Sequence, residues 1–324
     1  MKRRNICVGV AMFGVPGATL VRAQTGASKR RIGMLLNDPA RQQAGSPAAA
    51  FKEEMKRNGW TEGVNISYES RFSNGDFSRY VGLSRELVAS KVDLIFAYGV
   101  PAARSAQEAT STIPIVFLAP DPVEYGLVKS LREPGGNLTG LTLAIAQLHG
   151  KRMQLLSQAA GGVKRLAYLG VGEEKAVAAV LAAAKMSGFD LIPVDALPDG
   201  RTLTLPGAIS QGASASAWLV DDYAFFGPVR SQIMSLIATQ RKPAMYTVPS
   251  WVREGGLLGY AQDDRALAGK AAALANRILR GAEPASLPVE EPTTFVFAVN
   301  LVTARSLGIT IPSDVLLQAT DVIQ

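Results

Sequence analysis

Short apolar runs rich in Ile, Val, Leu and Phe alternate along this chain with longer segments whose apolar residues recur three and four apart. That alternation restricts the fold more than any other feature. Successive βα units place their strands in parallel sheets covered by helices. Residues 31–36 read as a strand closed by Asn37-Asp38-Pro39, and 48–58 as a helix with Phe51 and Met55 on one face and Gly59 as its stop. Residues 64–72 alternate as a strand, 77–90 return as a helix, and 92–97 form a strand of the buried type. Tyr98-Gly99-Val100-Pro101 then turns into a helix over 102–109, with Pro101 at the first-turn position that proline tolerates.

The next unit, residues 113–142, carries the clearest loop for a site. An apolar strand over 113–118 breaks at Ala119-Pro120-Asp121-Pro122, and the amphipathic stretch 123–131 is expected to be helical. Pro134-Gly135-Gly136 ends it, and a second strand leads out through Leu138 and Leu141. Open α/β sheets bind ligands at the carboxyl ends of their strands, which is where Asp121 stands. The pattern restarts after Thr142, with helices over 147–158, 173–186, 205–211 and 229–239 and strands over 165–169, 191–194, 217–220 and 244–248. Two successive α/β sheets therefore follow one another. Beyond them come a strand over 255–261, a helix over 264–279, a linker marked by Pro284 and Pro288, and a last strand and helix over 295–306. The tail is expected to strengthen both units, so that the chain crosses between them more than once.

The chain's 324 residues suffice for two domains of about 150 residues, and 48% hydrophobic with 19% charged residues is ordinary globular material. The first 23 residues differ: Lys2-Arg3-Arg4 precede an apolar run and a small-residue cleavage pattern at Val21-Arg22-Ala23, which reads as an export signal. Cys7, the one cysteine, lies inside that segment, so cleavage leaves no thiol nucleophile, disulfide or cysteine metal site. Cleavage also removes Lys2, Arg3, Arg4 and Arg22 and no acid, which lowers the formal charge from +7 to +3 and takes away the main support for nucleic-acid binding. His149, the single histidine, has no acid or serine patterned around it and reads as a surface or hinge residue. No G-x-G-x-x-G occurs, and the sequence calls for no cofactor or metal.

The candidates are loops at strand ends: Asn37; Tyr98, Gly99, Val100, Pro101 and Ala102; Pro120, Asp121 and Pro122; Gly170; Asp221, Asp222 and Tyr223; Tyr246; and Tyr260 with Asp263. Several open helices, whose free N–H groups and positive dipole ends favour a carboxylate. The tyrosines can wall a flat ligand or simply pack in the core. The aspartates can pair an ammonium group or cap a helix.

Many short motifs in order carry a family resemblance. They include Gly59-Trp60-Thr61-Glu62-Gly63, Val92 to Phe96 with Pro101-Ala102-Ala103, Asp121-Pro122-Val123, Pro134-Gly135-Gly136-Asn137 with Thr139-Gly140, and Gly150-Lys151-Arg152-Met153. Gly255-Gly256, Tyr260, Arg277 to Gly281, Leu287-Pro288-Val289-Glu290, Asn300 and Ile311-Pro312 continue them. From about residue 30 to its end the chain resembles the exported solute-binding proteins of ABC transporters, in the type I periplasmic-binding-protein group with tryptophan- and aromatic-amino-acid-binding members. The resemblance implies two Rossmann-like α/β lobes with parallel sheets joined by a hinge, closing on a small molecule and handing it to a membrane permease. It implies a monomer without catalytic chemistry, with a ligand-sensing or partner-binding protein on the same fold as the alternative and an enzyme as the remoter one. Lobe 1 is expected over 24–143 with a return segment near 256–285, and lobe 2 over 144–255 with 286–324. The family often has Thr or Ser where this chain has Val100, and a Trp-Asn-Pro-like turn where it has Leu169-Gly170-Val171-Gly172.

Overall fold

The computed structural model describes residues 29–39, 46–143, 145–172, 174–199, 202–221, 223 and 226–324. The proposed export signal and Asp222 lie outside the described residues. The first sheet contains β1 (Arg30–Leu36), β2 (Ile66–Phe72), β3 (Leu94–Tyr98), β4 (Ile115–Pro120) and β5 (Leu138–Leu143). Their order is β2-β1-β3-β4-β5, and every pair is parallel. Strands buried on both faces need continuous apolar runs, as β3 and β4 supply. Leu94 and Phe96 face α1 (Pro47–Arg57), while Ile95 and Ala97 face α2 (Tyr80–Ala89) and α3 (Val100–Ala109).

The second sheet contains β6 (Arg165–Gly170), β7 (Asp190–Asp195), β8 (Ala217–Val220), β9 (Ala244–Tyr246), β10 (Leu258–Gln262), β11 (Phe295–Asn300) and β12 (Asp321–Ile323). Its order is β12-β11-β10-β9-β8-β6-β7, with β10 and β11 antiparallel and the other pairs parallel. One face is covered by α4 (Ile145–Ala159) and α5 (Glu174–Ser187), the other by α6 (Leu205–Gln211), α7 (Arg230–Thr239) and α8 (Ser250–Arg253).

The chain passes between the sheets three times. It first leaves β5 through α4. It then returns at Asp263 into α9 (Asp264–Leu279), whose Leu267, Ala271, Leu274 and Ile278 join Phe51, Met55 and Phe96 in the first core. After α9 it runs along β5, where Thr142 N–H donates to the Glu290 carbonyl at 2.9 Å, and crosses to β11. The return therefore starts at Asp263 rather than near 256, because Leu258 and Gly259 pair with β9 and complete the second sheet.

The stretch 123–131 is a succession of turns and not the helix its amphipathic pattern suggests. The N–H groups of Leu127 and Val128 both donate to the Pro122 carbonyl, and Gly126 takes a left-handed φ of 66°. Leu127 and Val128 are nonetheless buried, so the apolar pattern records a packed loop.

Candidate functional site

The segments beyond the carboxyl ends of β4 and β6 meet where Lys175 pairs with Glu124. In the first lobe, β3 ends at Tyr98, and Gly99 turns the chain with φ 92° and ψ 157°, a conformation nearly confined to glycine. Gly99 N–H donates to the Leu118 carbonyl at 2.7 Å, which fixes the start of α3 and its first-turn N–H groups at Val100 and Ala102, Pro101 between them having none. Ala102 is fully buried and Val100 packs into the core under α3. Pro120 ends β4, and Asp121 follows with φ 38°, its carbonyl accepting from Tyr125 N–H at 3.0 Å. Asn37 Oδ1 accepts from Ser73 Oγ at 2.8 Å and Gly75 N–H at 3.0 Å, so that side chain ties two loops together. The Tyr98 hydroxyl donates to Asp264 Oδ2 at 3.2 Å, joining β3 to the start of α9.

In the second lobe, strand register builds the site. Leu169, Val220, Tyr246 and Gly259 lie side by side across β6, β8, β9 and β10, so the next row holds Gly170, Asp221, Thr247 and Tyr260 on the face covered by α4. The stripe of α4 that turns towards this face is His149, Arg152, Met153 and Leu156, polar in its first turns and apolar further on. A side chain at Gly170 would put its Cβ 2.9 Å from Tyr168 Cε1, so glycine there gives the Tyr168 ring its course up the sheet. The Tyr168 hydroxyl donates to Asp221 Oδ2 at 2.6 Å and lies 3.3 Å from the Tyr223 hydroxyl. Burial and the neighbouring Asp221 carboxylate push the Tyr168 phenol above its ordinary range, so it stays protonated and a donor.

His149 is 2% exposed and meets Tyr168 edge to face, with ring centroids 6.0 Å apart. It is buried, contrary to the surface reading, because helical spacing puts it on the inward stripe with Arg152. Burial pulls its pKa down to about 4; Asp221 opposes that and Arg152 adds to it, so the ring is neutral near pH 7. Arg152 is 1% exposed and donates from Nε to the Tyr260 carbonyl at 2.8 Å. Among the described residues, five buried side-chain atoms have no hydrogen-bond partner, and three lie in this region: His149 Nδ1, Thr247 Oγ1 and Gln262 Oε1. Buried polar atoms are normally satisfied, so their gathering at one sheet edge makes it the candidate site.

The sequence candidates separate on these grounds. Gly170, Asp221, Tyr223 and Tyr260 come together at the second-lobe row, Tyr98 reaches Asp264 at the start of α9, and Gly99, Val100, Pro101, Ala102, Pro120, Asp121 and Pro122 lie at the carboxyl ends of β3 and β4. Tyr246 does not face the row: it alternates to the other side of the sheet, 3% exposed, with its ring centroid 5.6 Å from that of Trp251. Asp263 is the N-cap of α9, its Oδ1 accepting from the N–H groups of Arg265 and Ala266 at 2.9 and 3.1 Å, while its neighbour Asp264 turns to Tyr98 and Gln262. Arg152, Tyr168, Thr247, Gln262 and Asp264 are not among the sequence candidates, and His149 is read there as a surface or hinge residue; the three-residue spacing of His149 and Arg152 is the local signal that points inward. Among the described residues no cluster of His, Cys, Asp and Glu is arranged to hold a metal, and no helix is long and apolar enough to cross a membrane.

Residues 32–323 match the model of the ABC transporter substrate binding protein family. The chain belongs to that family. Members are solute-binding components that work with membrane permeases, and the family is not an enzyme family. Among its relatives is a tyrosine-binding protein of Clostridioides difficile (strain R20291), 26% identical over 290 residues, spanning 85% of this chain and 79% of the relative. A solved domain from Streptococcus pneumonia in complex with L-Trp superposes with a TM-score of 0.81 at 24% identity, covering 91% of this chain and all of that one. A ligand-free, open substrate binding protein with adhesive properties from Clostridium difficile gives 0.69 at 23% identity, over 91% of this chain and 99% of its own.

Proposed function

We propose that this substrate binding protein captures an aromatic amino acid or another small carboxylate between its two lobes and delivers it to an ABC permease without transforming it. The observation that carries this reading is the row of buried Asp221 and Thr247 and half-buried Tyr260 at the carboxyl edge of the second sheet, backed by His149 and Arg152 from α4. A carboxylate fits the α3 N-terminus, an ammonium group fits Asp221 or Asp264, and the rings of Tyr98, Tyr168, Tyr223 and Tyr260 suit a flat side chain. The ligands named for the tyrosine-binding relative and the L-Trp complex support the same class. Residues 1–23 act as the export signal, and the mature chain works in the periplasm as a monomer, with no cofactor and no nucleic-acid partner. Closure follows from a ligand that touches both edges and so binds the closed state more tightly than the open one.

The test is a thermal-shift screen of residues 24–324 against amino acids, aromatic acids, short acyl carboxylates and sugars. A ligand at roughly a hundredfold its dissociation constant stabilises by about 2.7 kcal/mol, which reads as a rise of several degrees. Hits among aromatic amino acids or small carboxylates are expected, and Asp221→Asn is expected to weaken them. A response to sugars alone, or turnover of any compound, would overturn the proposal.

A further inference from the structure

We propose that Thr247 and His149 form a recess in the second lobe that selects ligands carrying a hydroxyl group on the ring over the same ring without one. The proposal rests on the cleft reading above and adds a substrate class to it.

Thr247 is the residue after β9, 7% exposed, between Asp221 and Tyr260 in the row. Its N–H donates to the Val220 carbonyl at 3.0 Å, which holds the main chain in register, yet its Oγ1 has no partner. His149, 2% exposed, likewise leaves Nδ1 without one. Asp221 lies beside both, next to Thr247 in the sheet and close enough to His149 to influence its protonation. The other polar groups of the cluster are engaged: the Tyr168 hydroxyl donates to Asp221, and Arg152 Nε donates to the Tyr260 carbonyl.

What remains is a hydroxyl and an uncharged imidazole, each able to donate or accept one hydrogen bond. Burial keeps the imidazole neutral, and the charges of Arg152 and Asp221 stand beside it with opposite signs. A plain hydrocarbon against these two atoms would leave both unsatisfied. A hydroxyl donates to one and accepts from the other. The surrounding rings, Tyr168 edge-on to His149 and Tyr260 stacked 5.9 Å from Phe295, make that hydroxyl's carrier an aromatic ring. Sites that hydrogen-bond a substrate hydroxyl reject the analogue lacking it more strongly than apolar pockets reject a methylene.

The experiment is calorimetric titration of the mature protein with two matched pairs, L-tyrosine against L-phenylalanine and 4-hydroxybenzoate against benzoate. The hydroxylated member of at least one pair is expected to bind about tenfold tighter or more. That ratio should fall towards one in Thr247→Val, be kept in Thr247→Ser, and shrink in His149→Leu. Thr247→Val should also melt no lower than wild type without ligand, since it removes an unsatisfied buried hydroxyl, so a lost preference is separable from misfolding. Equal affinity within both pairs, or a preference that survives Thr247→Val, overturns the recess and leaves the cleft reading standing. Silence from all four compounds also overturns the recess, while the cleft reading falls only if the wider screen answers to sugars alone or shows turnover.

Discussion

The two lobes share one architecture but meet the cleft with different chemistry. At the edge of the first sheet the strands are apolar to their last residues, and the polar groups offered are main-chain N–H groups at the start of α3 together with side chains already tied into loops, such as Asn37. At the edge of the second sheet a buried row of side chains is backed by His149 and Arg152 from α4. Main-chain groups at a helix start accept any anion of suitable size. A buried side-chain row with unsatisfied atoms distinguishes one ligand from another. On the proposed reading, the first lobe takes the end that a class of ligands has in common, and the second reads what differs.

The most forceful way to test that contrast is through His149. Its folded pKa of about 4 lies below the 6.5 of an exposed histidine, so the unfolded chain binds the proton more readily. The contribution is fully present above pH 6.5 and is lost as pH falls towards 4, amounting to about 3 kcal/mol. Urea unfolding of wild type and His149→Gln at pH 7 and pH 4 should show the variant losing less stability by that amount; parallel losses would remove His149 from the buried cluster. Next in size is Tyr168→Phe, which deprives the buried Asp221 of a donor and should cost about 2 kcal/mol in the same assay. A loss within error would mean that Asp221 is solvated.

On the first lobe, Gly99→Ala forces a side chain into φ 92° and should cost about 1.5 kcal/mol while weakening every carboxylate ligand alike, without changing the order of preference. A changed order would erase the proposed division between the lobes. The smallest effect belongs to Asp263→Ala, about 1 kcal/mol for a lost helix cap with ligand affinity retained. A large loss of affinity would restore Asp263 as a ligand residue and displace Asp264.

The strand–helix alternation was legible in the sequence because parallel strands demand continuous apolar runs and helices demand a period near 3.6, both of which are local. The stretch 123–131 shows where that fails. Its burial pattern resembles a helix, but Gly126 and the hydrogen bonds to Pro122 are satisfied only in turns. The site was legible as a set of strand ends and not as side chains. Asp221 was found because it follows an apolar run, whereas Thr247 and Tyr168 acquire meaning only when register places them beside Asp221. Tyr246 illustrates the converse: one residue of alternation separates it from the row and turns it towards Trp251. His149 looked isolated because its neighbours come from β6 and β8, distant in sequence.

The proposed closure on a ligand would bring the lobes together where they already touch, at Lys175 Nζ and Glu124 Oε1, 3.3 Å apart beside the Tyr125 ring. That exposed pair contributes about 1 kcal/mol at most, so it registers closure without causing it. The direct measurement is the distance between spin labels at Val123→Cys and Glu174→Cys in residues 24–324, which contain no other cysteine. Without ligand the distribution should be broad, and it should narrow and shorten in proportion to occupancy when L-tyrosine, or another hit from the screen, is added. Saturation by calorimetry with no change in that distribution would contradict closure.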